Sequence, residues 1–372
     1  MKIAIDVRPL YYSGTGNAVY LYNILKEVLK LSSNWKWYLI TNKTISEEYE
    51  DLLSFSNIHL IKQNSLFAKA SPLWFHSVFP NILKANQIDI FWSSLFLLPY
   101  NMKKRYPIPT LLNIHDLNAW IAPETMVYWK QLYLKTFTRN SLLHSDVVMC
   151  LSHTTKNLIQ KIFPTESKKT KLIVVYPGLI APPKDTKKPK ELNFDKFLLS
   201  VGTLEPRKNF ETLIQGYLLA KEENKNLLPL VIAGKKGWNL SPILTQLVKN
   251  EFKEKDIYFV NSPKKEELFW LYENCSLFLF PSIYEGFGLP ILEAAYYKKP
   301  QILSKIEIFE EIGKNFDGIF FVKEVKNPQH WKNAILQFFS QKTPSILNTQ
   351  LSLFDYTNSA KIVIETINQF VK

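Results

Sequence analysis

Two neighbouring cations stand near the start of the second half of the chain. Arg207 and Lys208 follow the apolar run FLLSVG after a short turn, and Asn209 is predicted to cap the helix that comes next. A loop that joins a strand to a helix in this way lies at the ligand-binding edge of a sheet. Arginine offers phosphate oxygens a planar fork, and lysine offers a mobile positive charge. The pair therefore predicts a diphosphate site that can balance charge on a departing phosphate; the alternative is a solvated basic turn.

A glycine-containing segment further along the chain carries two carboxylates. The run SLFLF leads into this segment, and Pro290 suits the first position of a helix. Backbone amides at a helix start bind phosphate oxygens, whereas carboxylates accept hydrogen bonds from hydroxyl groups. Glu285 and Glu293, with seven residues between them, therefore predict a ligand with hydroxyl groups on both sides of a diphosphate, which is a nucleotide sugar. The alternative is a pair of glutamates that stabilise the helix dipole. The loop residues assigned to donor binding are Gly286, Phe287, Gly288 and Leu289.

The first half of the chain holds two less specific motifs. Gly14 and Gly16 lie between an apolar run and a helical pattern, where they would let backbone amides approach an anion. Val19 stands where a dinucleotide-binding fingerprint requires glycine, so the loop does not match that fingerprint. His115 follows the run TLLNI and could bind substrate, while Asp116 could fix either the histidine tautomer or the loop. A plain glycine turn and a structural histidine are the alternatives.

The elements that must position these residues alternate between apolar runs and amphipathic stretches. Such alternation predicts strands and helices that build a parallel, doubly wound sheet. The proline- and lysine-rich segment APPKDTKKPK interrupts the pattern, which then restarts. The sequence therefore predicts an α/β fold of two Rossmann-like domains, each with a doubly wound parallel sheet, that face each other across a cleft. The predicted divisions are residues 1–180, a linker at 181–192, a second domain at 193–357 and a closing helix at 358–372 that packs back toward the first domain.

The predicted elements follow from apolar periodicity. Strands are predicted at KIAIDV, WKWYLIT, IHLIK, IDIFWSS, TLLNIH, DVVMCLS, KLIVVY, FLLSVG, LPLVIAG, DIYFVN, SLFLFP and KPQILS. Helices are predicted at residues 17–31, 128–143, 209–221, 241–253, 264–274, 289–298 and 359–370.

Composition limits the class of protein. The 372 residues are 46% apolar and 14% aromatic, enough for two cores, and a charged fraction of 21% excludes disorder as the main state. No apolar run is long enough to cross a bilayer and the first residues lack a signal pattern, so we expect a cytoplasmic protein. Cys150 and Cys275 sit in apolar runs and are predicted to be buried, unpaired thiols. The net charge of +13 indicates an anionic partner, which could be nucleic acid, an acidic membrane or a phosphorylated ligand.

Taken together, these motifs resemble the family 4 retaining glycosyltransferases of the GT-B fold, in the bacterial branch that carries a Glu-Pro-Arg-Lys-Asn loop. The resemblance runs from the first glycine loop to the paired glutamates. It implies that Arg207 and Lys208 bind the donor diphosphate, that Glu285 contacts the transferred sugar and that Glu293 binds the ribose. It also assigns His115 and the loop from Gly14 to Gly16 to the sugar and acceptor side, with Gly14 and Gly16 among the donor-binding residues. The catalytic residues that it implies are His115, Arg207, Lys208 and Glu285.

Two positions depart from the family pattern. Asn17 stands where many relatives have arginine, and Thr203 stands where some relatives have arginine. Both differences remove positive charge from the region of the phosphates, so the resemblance leaves more of the charge balance to Arg207 and Lys208.

The resemblance implies transfer of a sugar, with retention, from a nucleoside diphosphate sugar to a hydroxyl group of a glycan. The acceptor would be a lipid-linked glycan in surface polysaccharide or O-antigen biosynthesis. No two aspartates are separated by a single residue, so the Asp-x-Asp metal site of the other large glycosyltransferase fold is absent and we expect transfer without a metal ion or another cofactor. GDP-mannose is the favoured donor, with UDP- and dTDP-sugars as alternatives. A nucleotide-sugar-binding protein without transfer activity, or an epimerase of the same fold, stays open.

Two stretches combine aromatic and basic residues. Residues 71–84 (SPLWFHSVFPNILK) and 120–139 suit peripheral contact with the anionic inner face of the cell membrane. The alternative is that both are amphipathic helices that face a core. Basic and aromatic residues do not gather on one predicted face, so a nucleic-acid partner is not expected.

Overall fold

The computed structural model describes residues 1–63, 71–237, 240–340 and 350–370. The chain divides into two compact domains. The N-terminal domain comprises Met1–Gly178 together with the residues from Ser352 onward, and the C-terminal domain comprises Leu179–Leu351. Each domain is built on one parallel β-sheet with connecting helices. The predicted fold class of two parallel, doubly wound sheets is therefore confirmed.

The N-terminal sheet has seven strands in the order β3-β2-β1-β4-β5-β6-β7, and every neighbouring pair is parallel. The order reverses between β1 and β4, which is the place where doubly wound sheets bind ligands. The strands are β1 Lys2–Asp6, β2 Lys36–Thr41, β3 Ile58–Lys62, β4 Ile90–Ser93, β5 Thr110–Ile114, β6 Val147–Cys150 and β7 Lys171–Val174. The helices before the linker are α1 Gly16–Leu31, α2 Ser71–Ser77, α3 Phe79–Ala85, α4 Met102–Arg105, α5 Asn118–Ile121, α6 Tyr128–His144 and α7 His153–Ile162, with 3-10 helices at Arg8–Tyr11, Glu47–Ser54 and Pro123–Thr125.

The C-terminal sheet repeats this plan with six parallel strands in the order β10-β9-β8-β11-β12-β13. Its order reverses between β8 and β11. The strands are β8 Leu198–Val201, β9 Leu230–Gly234, β10 Ile257–Asn261, β11 Leu277–Phe280, β12 Gln301–Ser304 and β13 Ile319–Val322. The helices are α8 Phe210–Glu223, α9 Pro242–Val248, α10 Lys265–Asn274, α11 Leu289–Tyr296, α12 Glu307–Gly313 and α13 Pro328–Ser340, with 3-10 helices at Pro206–Lys208, Lys253–Lys255 and Leu351–Leu353.

The central strands are apolar because helices cover both faces of a parallel sheet. Every residue of β4, β5, β6, β8, β11 and β12 is buried, so these strands are mostly apolar on both faces and show no strict alternation of apolar and polar residues. Cys150 ends β6 and Cys275 precedes β11; both thiols are buried and unpaired, as predicted.

Several boundaries differ from the predicted ones for local reasons. Strand β13 and helix α13 were not predicted, although the residues of β13 (IFFV) are all apolar; the strand is partly buried at the edge of its sheet. Helix α9 ends at Val248 instead of 253, because Asn250 adopts a left-handed conformation with φ of 60°.

The large aromatic side chains of the stretch at 71–84 face the core, which is the alternative to membrane contact that the sequence left open for this stretch. Trp74, Phe75, Phe79 and Leu83 are almost completely buried in helices α2 and α3. They belong to the hydrophobic core of the N-terminal domain. The helical spacing of apolar residues is the same for a core-facing and a membrane-facing helix, so only tertiary packing decides between them.

The last helix, α14 at Tyr356–Asn368, packs against α1 in the N-terminal domain. Asp355 caps it, because its carboxylate accepts a hydrogen bond of 2.9 Å from the Thr357 amide. The Ser359 hydroxyl donates to the Tyr176 carbonyl at 2.5 Å. A Cβ atom on Gly178 would lie 2.4 Å from the Tyr356 nitrogen, so this glycine permits close packing of the chain against the helix start.

We predict that Gly178→Ala lowers the free energy of unfolding by roughly 1–3 kcal/mol, because backbone atoms of Tyr356 must move to admit the methyl group. Gly16→Ala is the matched control, since no atom lies within 4 Å of its added Cβ and alanine favours the helix that it starts. Denaturant unfolding measures both variants. Equal stability of the two would contradict the packing described for α14.

Candidate active site

The loops after β8 and β11 meet because these strands are neighbours in the sheet. The Ile283 amide donates to the Arg207 carbonyl at 3.0 Å. The side-chain amide of Asn209 donates to the Pro281 carbonyl at 3.1 Å. These two bonds hold the loops together at the point where the strand order reverses, which is the ligand-binding position of such sheets.

Four charged side chains form one cluster across these loops. Lys208 Nζ lies 2.5 Å from Glu285 Oε1, and Arg207 Nη1 forms a short ion pair with Glu285 Oε2. The other end of the Arg207 guanidinium pairs with Glu205 Oε1 at 2.6 Å. Two cations and two carboxylates thus balance each other. The structure therefore brings together Arg207, Lys208 and Glu285, which the sequence analysis had assigned to one site.

Two polar residues that support this cluster were missed by the sequence analysis. The Ser282 hydroxyl donates to Glu285 Oε1 at 2.8 Å, and Glu205 holds Arg207. Arg207 Nη1 also donates to the Tyr284 carbonyl at 2.9 Å, so the guanidinium is held by both loops. A sequence signal existed, since Glu205 and Ser282 each lie within three residues of a predicted site residue.

Burial makes the charges in this cluster strongly interdependent. Lys208 and Glu285 are both less than one-tenth exposed. Burial alone would raise the pKa of Glu285, but the positive charges of Arg207 and Lys208 outweigh it and lower this pKa to about 2. For Lys208, burial is the largest influence and lowers the pKa of the ammonium. Its Nζ also lies 4.9 Å from the centroid of the Phe280 ring, at a cation–π distance.

Asn209 precedes α8, as predicted, but it does not cap the helix with its side chain. The residue adopts a left-handed conformation with φ of 55°. Its side-chain amide donates to the carbonyls of Pro281 and Val325, and its side-chain oxygen accepts from the Thr212 hydroxyl at 2.7 Å. The predicted N-cap position is therefore confirmed, but the side chain of Asn209 joins neighbouring loops instead of bonding to the helix amides.

The glycine loop leads into α11 as the sequence analysis predicted. Gly288 has a φ of 123°, which L side chains rarely adopt, and an added Cβ would lie 3.1 Å from the Phe309 ring. Helix α11 begins at Leu289, so Pro290 occupies its second position and not its first. In the described part of the chain, the amides of Gly288 and Leu289 donate to no backbone carbonyl. They can therefore donate to an anion at the helix start.

Glu293 lies one turn into α11. It is partly buried, and the buried hydroxyl group of Tyr272 adjoins its carboxyl group. Burial raises the pKa of Glu293, and Tyr272 opposes part of that rise. Within the described ranges, Glu293 forms no ion pair with Arg207 or Lys208. The structure thus separates the two predicted carboxylates: Glu285 holds the cations, and Glu293 has a different neighbour.

A cavity of about 310 Å³ lies beside the cluster, between the amino-terminal ends of α8 and α9. It shares Glu205 with the cluster but not Arg207, Lys208 or either predicted carboxylate. Its lining residues are Glu205, Pro206, Asn209, Phe210, Glu211, Thr212, Gln215, Ser241 and Leu244.

His115 lies in the N-terminal domain, at the carboxyl end of β5. Only 4% of it is exposed, and burial lowers the pKa of its imidazole. Its Nε2 lies 2.8 Å from the Ser94 carbonyl, which can only accept, so Nε2 carries the proton. Nδ1 is then a buried acceptor that has no hydrogen-bond partner among the described residues. Tyr20 and Phe96 pack against the ring, each at a centroid distance of 5.3 Å.

Of the two roles predicted for Asp116, fixing the histidine tautomer or fixing the loop, the structure shows the second. The Asp116 carboxylate accepts from the Asn118 amide at 2.9 Å and thereby forms the turn that precedes α5. The Ser94 carbonyl fixes the tautomer of His115 instead, because β4 and β5 are neighbouring strands.

The first glycine loop also lies in the N-terminal domain. Gly14 adopts a φ of 63°, and its amide donates to the Tyr49 hydroxyl at 3.1 Å. Gly16 is the first residue of α1, with open space around its Cα. The predicted anion contact through the Gly14 amide thus competes with an internal hydrogen bond.

Comparisons with known proteins match both halves of the chain. The family model described as Glycosyltransferase Family 4 matches residues 15–180, and the model described as Glycosyl transferases group 1 matches residues 183–352. The O-antigen chain mannosyltransferase B of Escherichia coli is 25% identical over 342 residues, which cover 84% of each chain. The O-antigen chain mannosyltransferase RfbU of Salmonella typhimurium is 27% identical and aligns with 73% of this chain and 76% of its own.

Solved structures show the same fold. Anabaena HepE, crystallised with UDP and glucose, superimposes with a TM-score of 0.70 at 16% identity and covers 99% of this chain and 100% of its own. Sucrose-phosphate synthase from Thermosynechococcus elongatus has a TM-score of 0.71 at 16% identity, with 100% and 99% covered. The chain is a glycosyltransferase with the GT-B fold. The retaining outcome and the assignment to the Glu-Pro-Arg-Lys-Asn branch stay predictions.

We predict that the ion pairs of Glu285 make the stability of the protein depend on pH in acid. The pKa of Glu285 is about 2 in the folded protein and 4.5 for an unperturbed glutamate. The stabilisation is therefore present above pH 4.5 and is lost as the pH falls toward 2, a change on the order of 3 kcal/mol. Denaturant unfolding between pH 5 and pH 3 should show a shallower pH slope for Glu285→Gln than for the wild type. Glu251→Gln, which removes an exposed carboxylate, is the control. A wild-type slope in Glu285→Gln would refute the assignment.

Proposed function

We propose that this glycosyltransferase moves a sugar from a nucleoside diphosphate sugar to a hydroxyl group of a glycan, with retention at the anomeric carbon and without a divalent cation. The observation that carries the proposal is the cluster of Arg207, Lys208 and Glu285 at the ends of β8 and β11. It combines anion-binding cations with a hydroxyl-binding carboxylate in one place.

The proposed chemistry assigns the leaving group to the cations and the helix start. Negative charge builds up on the diphosphate as the bond to the sugar breaks, and Arg207 and Lys208 would stabilise that charge. The amides of Gly288 and Leu289 would add two donors at the start of α11, where the helix dipole favours an anion. These groups supply the charge balance for which many other enzymes use a metal ion.

The carboxylates would bind the two polyol parts of the donor. Glu285 would accept hydrogen bonds from hydroxyl groups of the transferred sugar, and Glu293 from the ribose. The Nδ1 atom of His115 would accept a hydrogen bond from a hydroxyl group of the acceptor, because the Ser94 carbonyl directs the only imidazole proton to Nε2.

Mannose from GDP-mannose is the proposed donor, and a lipid-linked glycan in O-antigen biosynthesis is the proposed acceptor. The support for both is similarity to proteins named as O-antigen mannosyltransferases in E. coli and S. typhimurium. UDP- and dTDP-sugars are the alternatives, and one hydroxyl group can decide such a preference.

We predict that Glu285→Ala and Lys208→Ala each abolish sugar transfer, with a loss of at least roughly a hundredfold, because each removes a group that acts on the donor. Transfer is measured with GDP-mannose, UDP-glucose and dTDP-glucose as donors, a lipid-linked glycan as acceptor, and EDTA in the buffer. The controls are Lys249→Ala and Glu251→Gln, which remove an exposed pair of the same domain. Full turnover in either site variant would reject the assignment. Donor binding without turnover in the wild type would favour a binding protein instead.

We also propose that the start of α6 touches an anionic membrane, where it would bring the enzyme to a lipid-linked acceptor at the cytoplasmic face. Tyr128 and Trp129 are 64% and 73% exposed. Lys130 and Lys135 are exposed on the same helix, and Glu124 is the exposed acidic residue just before it. Aromatic rings at the headgroup level combined with lysines are typical of interfacial helices. No helix in the described ranges has the length and hydropathy to span a bilayer.

We predict that Trp129→Ala combined with Tyr128→Ala reduces flotation with vesicles that contain anionic lipid by roughly tenfold, because about 1–2 kcal/mol of interfacial burial is lost. Leu31→Ala is the control, since Leu31 is an exposed apolar residue on a different helix. Binding that is unchanged in the double variant, or equal on neutral vesicles, would contradict the proposed membrane contact. The double variant should transfer sugar to a water-soluble acceptor at the wild-type rate, because its candidate active site is unchanged. This assay therefore distinguishes a loss of membrane binding from a loss of catalysis.

A further inference from the structure

The carboxylate of Glu285 forms ion pairs with both cations of the candidate site, Arg207 and Lys208. One oxygen faces Lys208 and the other faces Arg207. Each of these oxygens lies where a phosphate oxygen would have to lie to make the same charge-assisted hydrogen bonds. Glu285 therefore imitates, with its own side chain, the anion that the site is proposed to bind.

A diphosphate and this carboxylate cannot both make these contacts. Two anionic oxygens at hydrogen-bond distance from the same nitrogen lie less than about 6 Å from each other, and their repulsion is strong in a buried place. Lys208 and Glu285 are both buried, so water can do little to screen that repulsion. Glu205 pairs with Nη2 of Arg207, and Glu285 pairs with Nη1. The diphosphate and Glu285 would therefore compete for Nη1.

We propose that Glu285 is an internal competitor of the donor diphosphate. The incoming diphosphate displaces the Glu285 carboxylate from Arg207 and Lys208, and the displaced carboxylate then accepts hydrogen bonds from the hydroxyl groups of the sugar. This inference rests on the function proposed above and adds an order of events to it. The diphosphate binds the cations first, and only then do the hydroxyl groups of the sugar bind the carboxylate of Glu285.

Two contacts keep the displaced carboxylate close to its first position. The Ser282 hydroxyl bonds to Glu285 Oε1 without involving either cation. The Ile283 amide, two residues earlier in the chain than Glu285, is tied to the Arg207 carbonyl. A small rotation of the side chain therefore suffices, and the loop itself does not have to move. A free sugar without a diphosphate would not displace the Glu285 carboxylate from Arg207 and Lys208, so this carboxylate would not be available to bind its hydroxyl groups.

A carboxylate that only binds the sugar would not change the affinity for a nucleotide that carries no sugar, whereas a carboxylate that competes with the diphosphate would. Glu285→Gln should bind GDP or UDP, neither of which carries a sugar, about tenfold more tightly than the wild type, because a neutral amide competes less well for the two cations. Titration calorimetry with GDP and UDP measures this in the presence of EDTA. Glu251→Gln is the control and should bind like the wild type. The same Glu285→Gln variant should lose the extra affinity that the wild type gains from the sugar part of the donor.

The outcomes separate the two proposals. Wild-type protein that binds neither nucleotide would reject the proposed function, and the inference with it. Wild-type binding with equal or weaker binding by a folded Glu285→Gln variant would overturn the inference alone. Glu285→Asp provides a second test if the glutamine variant does not fold. Its shorter side chain withdraws the charge from both cations, so GDP should again bind more tightly, by a smaller factor, and unchanged or weaker binding would count against displacement.

Discussion

Two cations that share one carboxylate at the ends of adjacent strands set the geometry of the C-terminal domain's site. The contact exists because β8 and β11 are neighbours in the sheet although more than seventy residues separate them in the chain. Loops that follow neighbouring parallel strands leave the sheet at the same edge. The hydrogen bond from the Ile283 amide to the Arg207 carbonyl then holds the two loops at a fixed separation. Every assignment in this domain depends on that arrangement.

The same arrangement explains how the protein can bury charged groups. A buried charge is costly unless it is paired and hydrogen-bonded. Here Glu205 and Glu285 balance Arg207 and Lys208, and Ser282 completes the hydrogen bonds of Glu285. Neighbouring residues make room for the cluster: an added Cβ on Gly202 would lie 3.3 Å from the Lys208 side chain. The two cations and two carboxylates of the cluster therefore carry no net charge.

The N-terminal domain uses the same topology for a different kind of site. β4 and β5 are neighbours beside the reversal of strand order, and they bring the Ser94 carbonyl to His115. The result is a neutral, buried imidazole with a defined acceptor atom instead of a charged cluster. The aromatic stretches show the same dependence on packing. Residues 71–84 fill the core, whereas Tyr128 and Trp129 lie on the surface, although both stretches mix aromatic and basic residues.

The sequence by itself determined the fold class and the candidate residues of the C-terminal site. Apolar runs bounded by glycine and proline mark buried parallel strands, and the residue types at their ends limit the chemistry, since both signals are local. Only the tertiary structure decided the partners. The Asn209 side chain joins loops instead of bonding to the amides of α8, Ser94 instead of Asp116 orients His115, and Glu285 instead of Glu293 holds the cations. These contacts join residues that are distant in the chain, and no local pattern records which side chain will reach another once strands far apart in sequence lie side by side.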